Sequence, residues 1–409
     1  MRYWTEKKVV IGISGGIAAY KSLDLIRRFR EEGGQVSVVA TAGALRFITR
    51  LTLEALTDGQ VYDDLFHLNP GSGMEHIRLP QEADLIVLAP ATADLLARMA
   101  GGRSDDLLTA MLLAREGPIL AAPAMNPVMW HHPATRRNIR TLTEDGVHFV
   151  GPEQGTLACG VEGEGRLAPV EQILAAARGV LTPKLLAGKR ILITAGPTRE
   201  GWDPVRYLSN HSSGRMGWGV CRAALDAGAR VTLVHGPVEL SPPSGVEAIP
   251  VISAREMLGV VEEVWPGCDG GVLTAAVADF RPVEILEEKI KKGKKSNGIT
   301  VEMVPNPDIL ATLVKQEAHR RQAEPGTLRK PLIGFAAETG NSLERGREKL
   351  ARKGCDLLVV NDVLEEGSGF NTDTNRVTLL RPNAPEEPWP LLSKDLVGTR
   401  LIQALAELF

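Results

Sequence analysis

Short, unbroken apolar runs alternating with helical stretches dominate this chain, and they come in two similar series. KKVVIGI (7–13) is followed by Ser14-Gly15-Gly16, a helical pattern near 17–32, a Gly33-Gly34 stop and the strand-like QVSVVAT (35–41). KRILITA (189–195) opens the second series, with a long polar loop, a helical pattern near 215–228 and RVTLVHG (230–236). DLIVLAP, PILAAP, GGVLTAAVAD, KPLIGFAAE and CDLLVVND extend the pattern. Runs without polar alternation suit strands buried on both faces, the condition of a parallel sheet between helical layers. The expectation is α/β, with two doubly wound parallel-sheet domains. Length agrees, since 409 residues exceed one ordinary core at ~100–200 residues per domain. The join falls at GVLTPKLLAGK, which predicts a first domain over 1–180, a linker over 181–189 and a second domain over 190–409.

Composition excludes several classes. A chain 44% hydrophobic and 24% charged is that of a soluble globular protein. Its net charge of −3 argues against a nucleic-acid binder, which carries a basic excess. The cysteines at 159, 221, 268 and 355 form no C-x-x-C pair or zinc spacing, the pattern of free thiols in a reducing compartment. MRYWTEKKVVIGISGG has no signal-peptide h-region, and no apolar run reaches the ~18 residues that span a bilayer. The expectation is a cytoplasmic protein with neither membrane nor nucleic acid as partner.

Ligands of open α/β sheets collect at the carboxyl ends of strands, and several polar segments stand there. SGGIAAYKS has no G-x-G-x-x-G, and no glycine precedes Lys21 to make a Walker motif. The loop still aims backbone N–H groups from a helix start, which suits phosphate as well as it suits a plain helix beginning. LAPATADLLARMA puts Thr92 and Ala93 at a strand-to-helix turn, and AAPAMNPVMW holds Asn126 between prolines past a strand. GSGMEHIRLP places His76 in a polar segment before a strand. Alone, His76 reads more readily as a satisfied surface histidine than as a catalyst, and Asn126 equally as a turn cap. EQGTLACGVEGEGR (153–166) presents Cys159 on a glycine-rich flap with nothing bulky beside it. That suits a thiol that reaches a ligand, or an ordinary loop cysteine.

With SGGIAAYK, the PATA turn, EHIRL, PAMN and the ACG flap in this order, the first half resembles the flavin-dependent cysteine decarboxylases. The resemblance implies a flavodoxin-like fold that binds FMN, with Ser14, Gly15, Thr41, Thr92 and Ala93 at the cofactor. His76 and Asn126 would hold the substrate, and Cys159 would donate a proton. The types fit the chemistry: losing CO₂ from a cysteinyl group leaves a carbanion without an electron sink until a flavin oxidises the thiol.

The polar loop TAGPTREGWDPVRYLSNHSSGRMGWGV (194–220) is too long for a mere connection. Through GPTRE, DPVRYLSN, SSGRMG, AAVADFRP, KIKK, NPDIL and GFAAET, the second half resembles the phosphopantothenate–cysteine ligases, Rossmann-like and CTP-dependent. Together the two resemblances span nearly the whole chain and imply the bifunctional decarboxylase–ligase family of coenzyme A synthesis. EEKIKKGKKSNG (287–298) gathers lysines 289, 291, 292, 294 and 295. By itself it reads as a solvated surface, and after Asp279 as a loop that meets a triphosphate. The resemblance assigns Leu273, Thr274, Ala275, Asp279, Lys289, Asn306, Pro307, Asp308, Ile309, Phe335, Lys349 and Lys353 to CTP. Lys289 and Asn210 would be catalytic, with Arg206 and Asn210 at 4'-phosphopantothenate. No Asp/Glu cluster names metal ligands, so the implied Mg²⁺ would sit mainly on CTP phosphates.

The implied pair of reactions joins cysteine to 4'-phosphopantothenate, then decarboxylates 4'-phosphopantothenoylcysteine. The resemblance also implies a homo-oligomer, most simply a dodecamer built from threefold and twofold contacts. Two other readings compete. A non-catalytic FMN-binding regulatory protein tends to lack the histidine or the flap cysteine, and His76 and Cys159 are both present. An NAD(P) oxidoreductase needs G-x-G-x-x-G and an acidic residue after the second strand, and neither occurs. RRQAEPGTLRKP (320–331) has the character of a surface insertion.

Overall fold

A computed structural model describes residues 3–66, 74–156, 160–289, 299–362, 364–365, 367–369 and 372–409. The chain divides into two compact units, Arg2–Thr182 and Pro183–Phe409.

In the first unit a six-stranded sheet runs Val61–Tyr62, Gln35–Ala40, Lys8–Ile13, Leu85–Ala91, Ile119–Pro123, His148–Phe149. Every pairing is parallel. Numbered along the chain the order is 3-2-1-4-5-6, a doubly wound sheet whose direction reverses beside the first strand. The third strand has only two residues, and without it the remainder keep the 2-1-3-4-5 order of a flavodoxin-like sheet. The apolar runs divide by the period of two that a strand imposes. Val9, Ile11, Ile13, Leu85 and Val87 enter one core with Trp4, Leu25 and Phe29. Val10, Ile86 and Leu88 enter the other with Leu95, Leu96 and Met111.

The second unit repeats the plan. Its eight-stranded sheet runs Val246–Pro250, Arg230–His235, Arg190–Ala195, Gly270–Leu273, Leu332–Glu338, Leu357–Asp362, Thr378–Leu380, Glu387–Pro388. The first six strands are parallel and the last two are antiparallel additions. Ile191, Ile193 and Val359 pack with Trp218, Val397 and Leu401 on one face. Leu192, Val234 and Leu358 pack with Met257, Ile309 and Leu350 on the other. Both sheets match the expected α/β class.

Local structure departs from the sequence reading in places. The segment before Leu85, read as polar, is a helix, Glu75–Glu82, that carries His76 in its first turn. Pro80 lies inside it and has no N–H to return to the His76 carbonyl. The glycine-rich segment is an antiparallel hairpin, Glu153–Thr156 with Glu162–Arg166. A second hairpin, Arg199–Gly201 with Tyr207–Ser209, organises the long polar loop. Among the described residues no helix is long and apolar enough to cross a membrane.

Candidate functional site

Each sheet opens a cavity at the carboxyl ends of its strands. The first, about 980 Å³, is lined by the loop after Lys8–Ile13, the Thr41–Gly43 turn, Pro90–Asp94, the Ala124–Asn126 turn and the hairpin. Ser14, Gly15, Thr41, Thr92, Ala93 and Asn126 all line it. The Ser14 hydroxyl donates to the Pro90 carbonyl at 2.7 Å and accepts from the Thr92 N–H at 3.1 Å, tying the two loops together. Thr92 caps helix Ala93–Ala100, and Asn126 caps Pro127–His131 by accepting from the Val128 N–H at 2.9 Å. A Cβ on Gly15 would lie 2.8 Å from the Gly43 carbonyl carbon, so only glycine lets these loops meet.

The hairpin reaches the cavity through Thr156, Gly165 and Arg166. Its glycines serve contact as well as freedom. A Cβ on Gly165 would sit 2.2 Å from the Met125 carbonyl oxygen, and the Met125 N–H donates to the Gly165 carbonyl at 2.9 Å. The hairpin is thereby fixed against the turn that bears Asn126. Cys159 lies outside the described residues. His76 does not line this cavity; its Nδ1 is buried and has no hydrogen-bond partner among the described residues. The other thiols are unsuited to chemistry, since burial pushes Cys221 up to about 12 and Cys268 and Cys355 up to about 11.

Three cations at this cavity escaped the sequence reading, of which Arg98 is paired with Asp94, Asp105 and Asp106. Lys21 and Arg166 line it together, and burial together with the nearby Arg166 charge pushes Lys21 below its ordinary value. Two like charges converging on one cavity are relieved by an anion. The signal for Lys21 was its place in SGGIAAYK, whereas Arg166 needed the hairpin fold.

The second cavity, about 990 Å³, gathers Asn210, Leu273, Thr274, Ala275, Asp279, Asn306, Pro307, Asp308, Ile309, Phe335, Lys349 and Lys353. Side-chain amides brace its floor: Asn210 Nδ2 donates to the Val277 carbonyl at 2.9 Å, and Asn306 Nδ2 to the Ala278 carbonyl at 2.8 Å. Asp308 caps helix Ile309–Ala323 and pairs with Lys353. Burial opposes its charge, but the Lys353 hydrogen bond and the Ala311 N–H prevail and hold its carboxyl below the usual value. Lys349 stands 3.5 Å from Glu338. Neither Lys289 nor Arg206 lines this cavity. Lys289 is exposed, the lysines at 291, 292, 294 and 295 lie outside the described residues, and Arg206 is ion-paired at 3.1 Å with Asp203. Arg215, Asn375 and Lys394 also line the wall and were not read from the sequence. Among the described residues no group of three His, Cys, Asp or Glu could hold a metal ion.

Residues 2–182 match the Flavoprotein family, and residues 186–408 match the DNA/pantothenate metabolism flavoprotein C-terminal domain family. The chain is 46% identical to the coenzyme A biosynthesis bifunctional protein CoaBC of Vibrio vulnificus (strain YJ016), over 100% of this chain and 99% of that protein. The chain belongs to this bifunctional family. Its identity to the family's member in Mycobacterium tuberculosis (strain ATCC 25618 / H37Rv) is 44%, over 98% of this chain and 96% of that one. The crystal structure of the C-terminal domain of a CoaBC protein is similar at 37% identity, covering 55% of this chain and 97% of that chain with a TM-score of 0.44. As a member of the bifunctional family the chain carries both activities, and each of its two cavities lies within one of the matched regions.

Proposed function

We propose that this chain performs two consecutive steps of coenzyme A biosynthesis, one in each cavity. The 190–409 domain joins cysteine to 4'-phosphopantothenate at the expense of CTP, and the 1–180 domain decarboxylates the 4'-phosphopantothenoylcysteine formed. The observation that carries the reading is the second cavity, where residues from strand ends and loops far apart in sequence meet around one space at the switch point of the sheet. A purely regulatory FMN-binding role leaves that cavity without a task.

In the ligase step the carboxylate oxygen attacks the α-phosphorus of CTP and pyrophosphate leaves. The cysteine nitrogen then bonds to the acyl carbon, the C–O bond to CMP breaks with its electron pair, and the amine loses a proton to solvent. Asn306, Pro307, Asp308 and Ile309 with Phe335 receive the base, Asp279 the ribose, and Lys349 and Lys353 the phosphates. Lys289 supplies positive charge where pyrophosphate departs, Asn210 orients the acyl end, and Arg206 binds phosphopantothenate. Mg²⁺ would be held mainly by the CTP phosphates, where it would offset their charge.

The first cavity suits FMN: at about 980 Å³ it has room for a ring system, and Lys21 with Arg166 meets a phosphate. FMN supplies the redox chemistry that lets CO₂ depart without leaving an unstabilised carbanion. Ser14, Gly15, Thr41, Thr92 and Ala93 hold it, Asn126 and His76 bind the substrate carboxylate, and Cys159 delivers a proton. A second copy of the chain completes this cavity, in an oligomer that is most simply a dodecamer. The largely exposed Ile17, Tyr20 and Met129 at its lining support that reading. The test is an assay of pyrophosphate release with CTP, cysteine and 4'-phosphopantothenate, followed by CO₂ evolution. No CTP-dependent pyrophosphate refutes the ligase assignment, and pyrophosphate without CO₂ refutes the decarboxylase.

A further inference from the structure

We propose that Lys394 and Asn375 form the cysteine subsite of the second cavity, with Lys394 receiving the amino acid's carboxylate and the Asn375 carboxamide oxygen receiving an N–H of its amine. The inference rests on the ligase reading of that cavity.

Both residues line the cavity, yet both are buried, Lys394 to 6% exposure and Asn375 to 5%. The fold spends several contacts on placing them. Asn375 belongs to the two-residue strand Thr374–Asn375, which pairs antiparallel with Leu392–Ser393, immediately before Lys394. Lys394 opens helix Lys394–Ala406, which Ser393 caps through the Leu396 N–H at 3.3 Å. That helix touches helix Arg215–Asp226 backbone to backbone: a Cβ on Gly398 would lie 2.6 Å from the Gly219 carbonyl oxygen, and one on Gly219 2.7 Å from that of Lys394. The lysine is thereby held at one height on the cavity wall.

Among the described residues Lys394 has no ion pair of its own, although the Asp373 charge favours its cationic form from a distance. Lys394 Nζ donates to the Gly369 carbonyl at 3.0 Å, and an ammonium carries three donors. The neighbouring carboxylate, Asp373, is paired with Arg215 at 2.5 Å and is 86% exposed. Burial, then the Arg215 charge, pushes Lys394 below its ordinary value, the direction that a bound carboxylate reverses. On the same cavity lining, Asn375 Oδ1 is buried with no hydrogen-bond partner among the described residues, and such an acceptor calls for a donor.

A buried ammonium and an unpaired acceptor on one cavity wall match a ligand that offers both a carboxylate and an N–H, as an α-amino acid does. Phosphates offer acceptors alone and leave Oδ1 unanswered. The helix that Asp308 and Ile309 begin and the helix that Lys349 and Lys353 end pack on one face of the sheet through Ile309, Leu310 and Leu350, while Phe335 borders the other face. The helix of Lys394 packs on the other, through Val397 and Leu401.

Cysteamine tests this, because it differs from cysteine only in lacking the carboxylate. The full chain is supplied with CTP and 4'-phosphopantothenate, and amide formation is measured with each amine beside pyrophosphate release without amine. The wild type is expected to prefer cysteine by ~10²-fold in kcat/KM, as a site built for a polar group rejects the analogue that lacks it. Lys394→Met is expected to lose most of that preference, through the cysteine value alone. Asn375→Leu carries the test independently of whether Lys394→Met folds. It is expected to slow both amines by ~10-fold relative to pyrophosphate release and to keep the preference. A Lys394→Met enzyme that still prefers cysteine overturns the proposal. So does an Asn375→Leu enzyme that loses pyrophosphate release in the same proportion as amide formation, which would place the pair at the nucleotide. A wild type that releases pyrophosphate but shows no preference overturns the subsite and leaves the ligase standing; one that releases none removes both.

Discussion

The two cavities occupy the same place on sheets wound in the same order, yet one chain completes them to different degrees. In the second unit the residues read for CTP, from Leu273 to Lys353 and with the exception of Lys289, line one space together with Asn210. In the first unit the cofactor residues and Asn126 come together, while His76 sits on helix Glu75–Glu82 away from the lining. The physical difference lies in how each sheet is extended beyond its parallel strands. The second sheet gains antiparallel strands, and the segments that flank them bring Gly369, Asn375 and Lys394 to its cavity wall from the same chain. The first sheet ends at the two-residue His148–Phe149, and its cavity rim carries exposed apolar side chains. Under the proposed function this contrast becomes an expectation, a nucleotide site built by one chain and a flavin site finished by a second copy.

The largest effect should come from Cys159→Ser. Loss of a positioned proton donor costs ~10²–10⁴-fold, so formation of the decarboxylated product should fall by that factor while CTP-dependent pyrophosphate release stays at its wild-type rate. Product analysis beside the pyrophosphate assay reads both; a parallel fall in the two would break the independence of the cavities. Next comes complementation. His76→Asn and Asn126→Asp chains should each be inactive in decarboxylation, and co-assembled oligomers should recover part of it, because some sites then receive both intact residues. No recovery after subunit mixing would mean that each chain finishes its own flavin site. Lys289→Gln should lower pyrophosphate release by ~10²–10³-fold and leave FMN binding intact. Near-normal release would return that exposed lysine to the solvated surface.

How far the sequence revealed these sites depends on what places each residue. Continuous apolar runs such as Leu85–Ala91, buried at every position, announce parallel strands because nothing else buries both faces. The PATA turn was legible because a strand-to-helix turn has a local signature, seen in the Thr92 cap, whereas NPDI, where Asp308 caps the next helix, was singled out through the resemblance alone. Helix Glu75–Glu82 was not legible, since Pro80 argues against it locally and packing overrides that preference. The flap was read as loose from its glycines, whereas Gly165 is demanded by contact with Met125, a neighbour visible only in three dimensions. Arg166 and Lys394 carry no motif of their own. Their meaning comes from Lys21 and Asn375, which chain folding alone brings beside the same cavities.

A smaller effect probes the first cavity without touching chemistry. Gly15→Ala forces a Cβ to within 2.8–3.0 Å of the Gly43 backbone, and overpacking of this kind costs about 1–3 kcal/mol. FMN affinity should drop, by spectroscopic titration, with pyrophosphate release unchanged. An unaltered affinity would show that the Ser14 and Thr41 loops move apart freely.

The smallest effect belongs to Asp308, at the opposite cavity. Its carboxyl is held below the usual value because, against the cost of burial, the Lys353 hydrogen bond and the Ala311 N–H favour the charged form. A depressed folded-state pKa stabilises the protein above the unfolded pKa and loses that contribution as pH falls through the folded value. The window therefore lies below about pH 4, where the group begins to take up a proton. The side chain is 43% exposed, so solvent screens the pair and only a modest effect is expected, within the ~0–1 kcal/mol of surface ion pairs. Asn can still cap the helix, so Asp308→Asn removes the charge while leaving the cap. Thermal melts at neutral pH should put Tm for the variant slightly below wild type, and the gap should close as pH falls through the window. CTP should offset the gap if Lys353, released from its carboxylate, turns to the phosphates. A gap that stays constant with pH would show that the charge contributes nothing, and that Lys353 is held in place by the cavity wall rather than by Asp308.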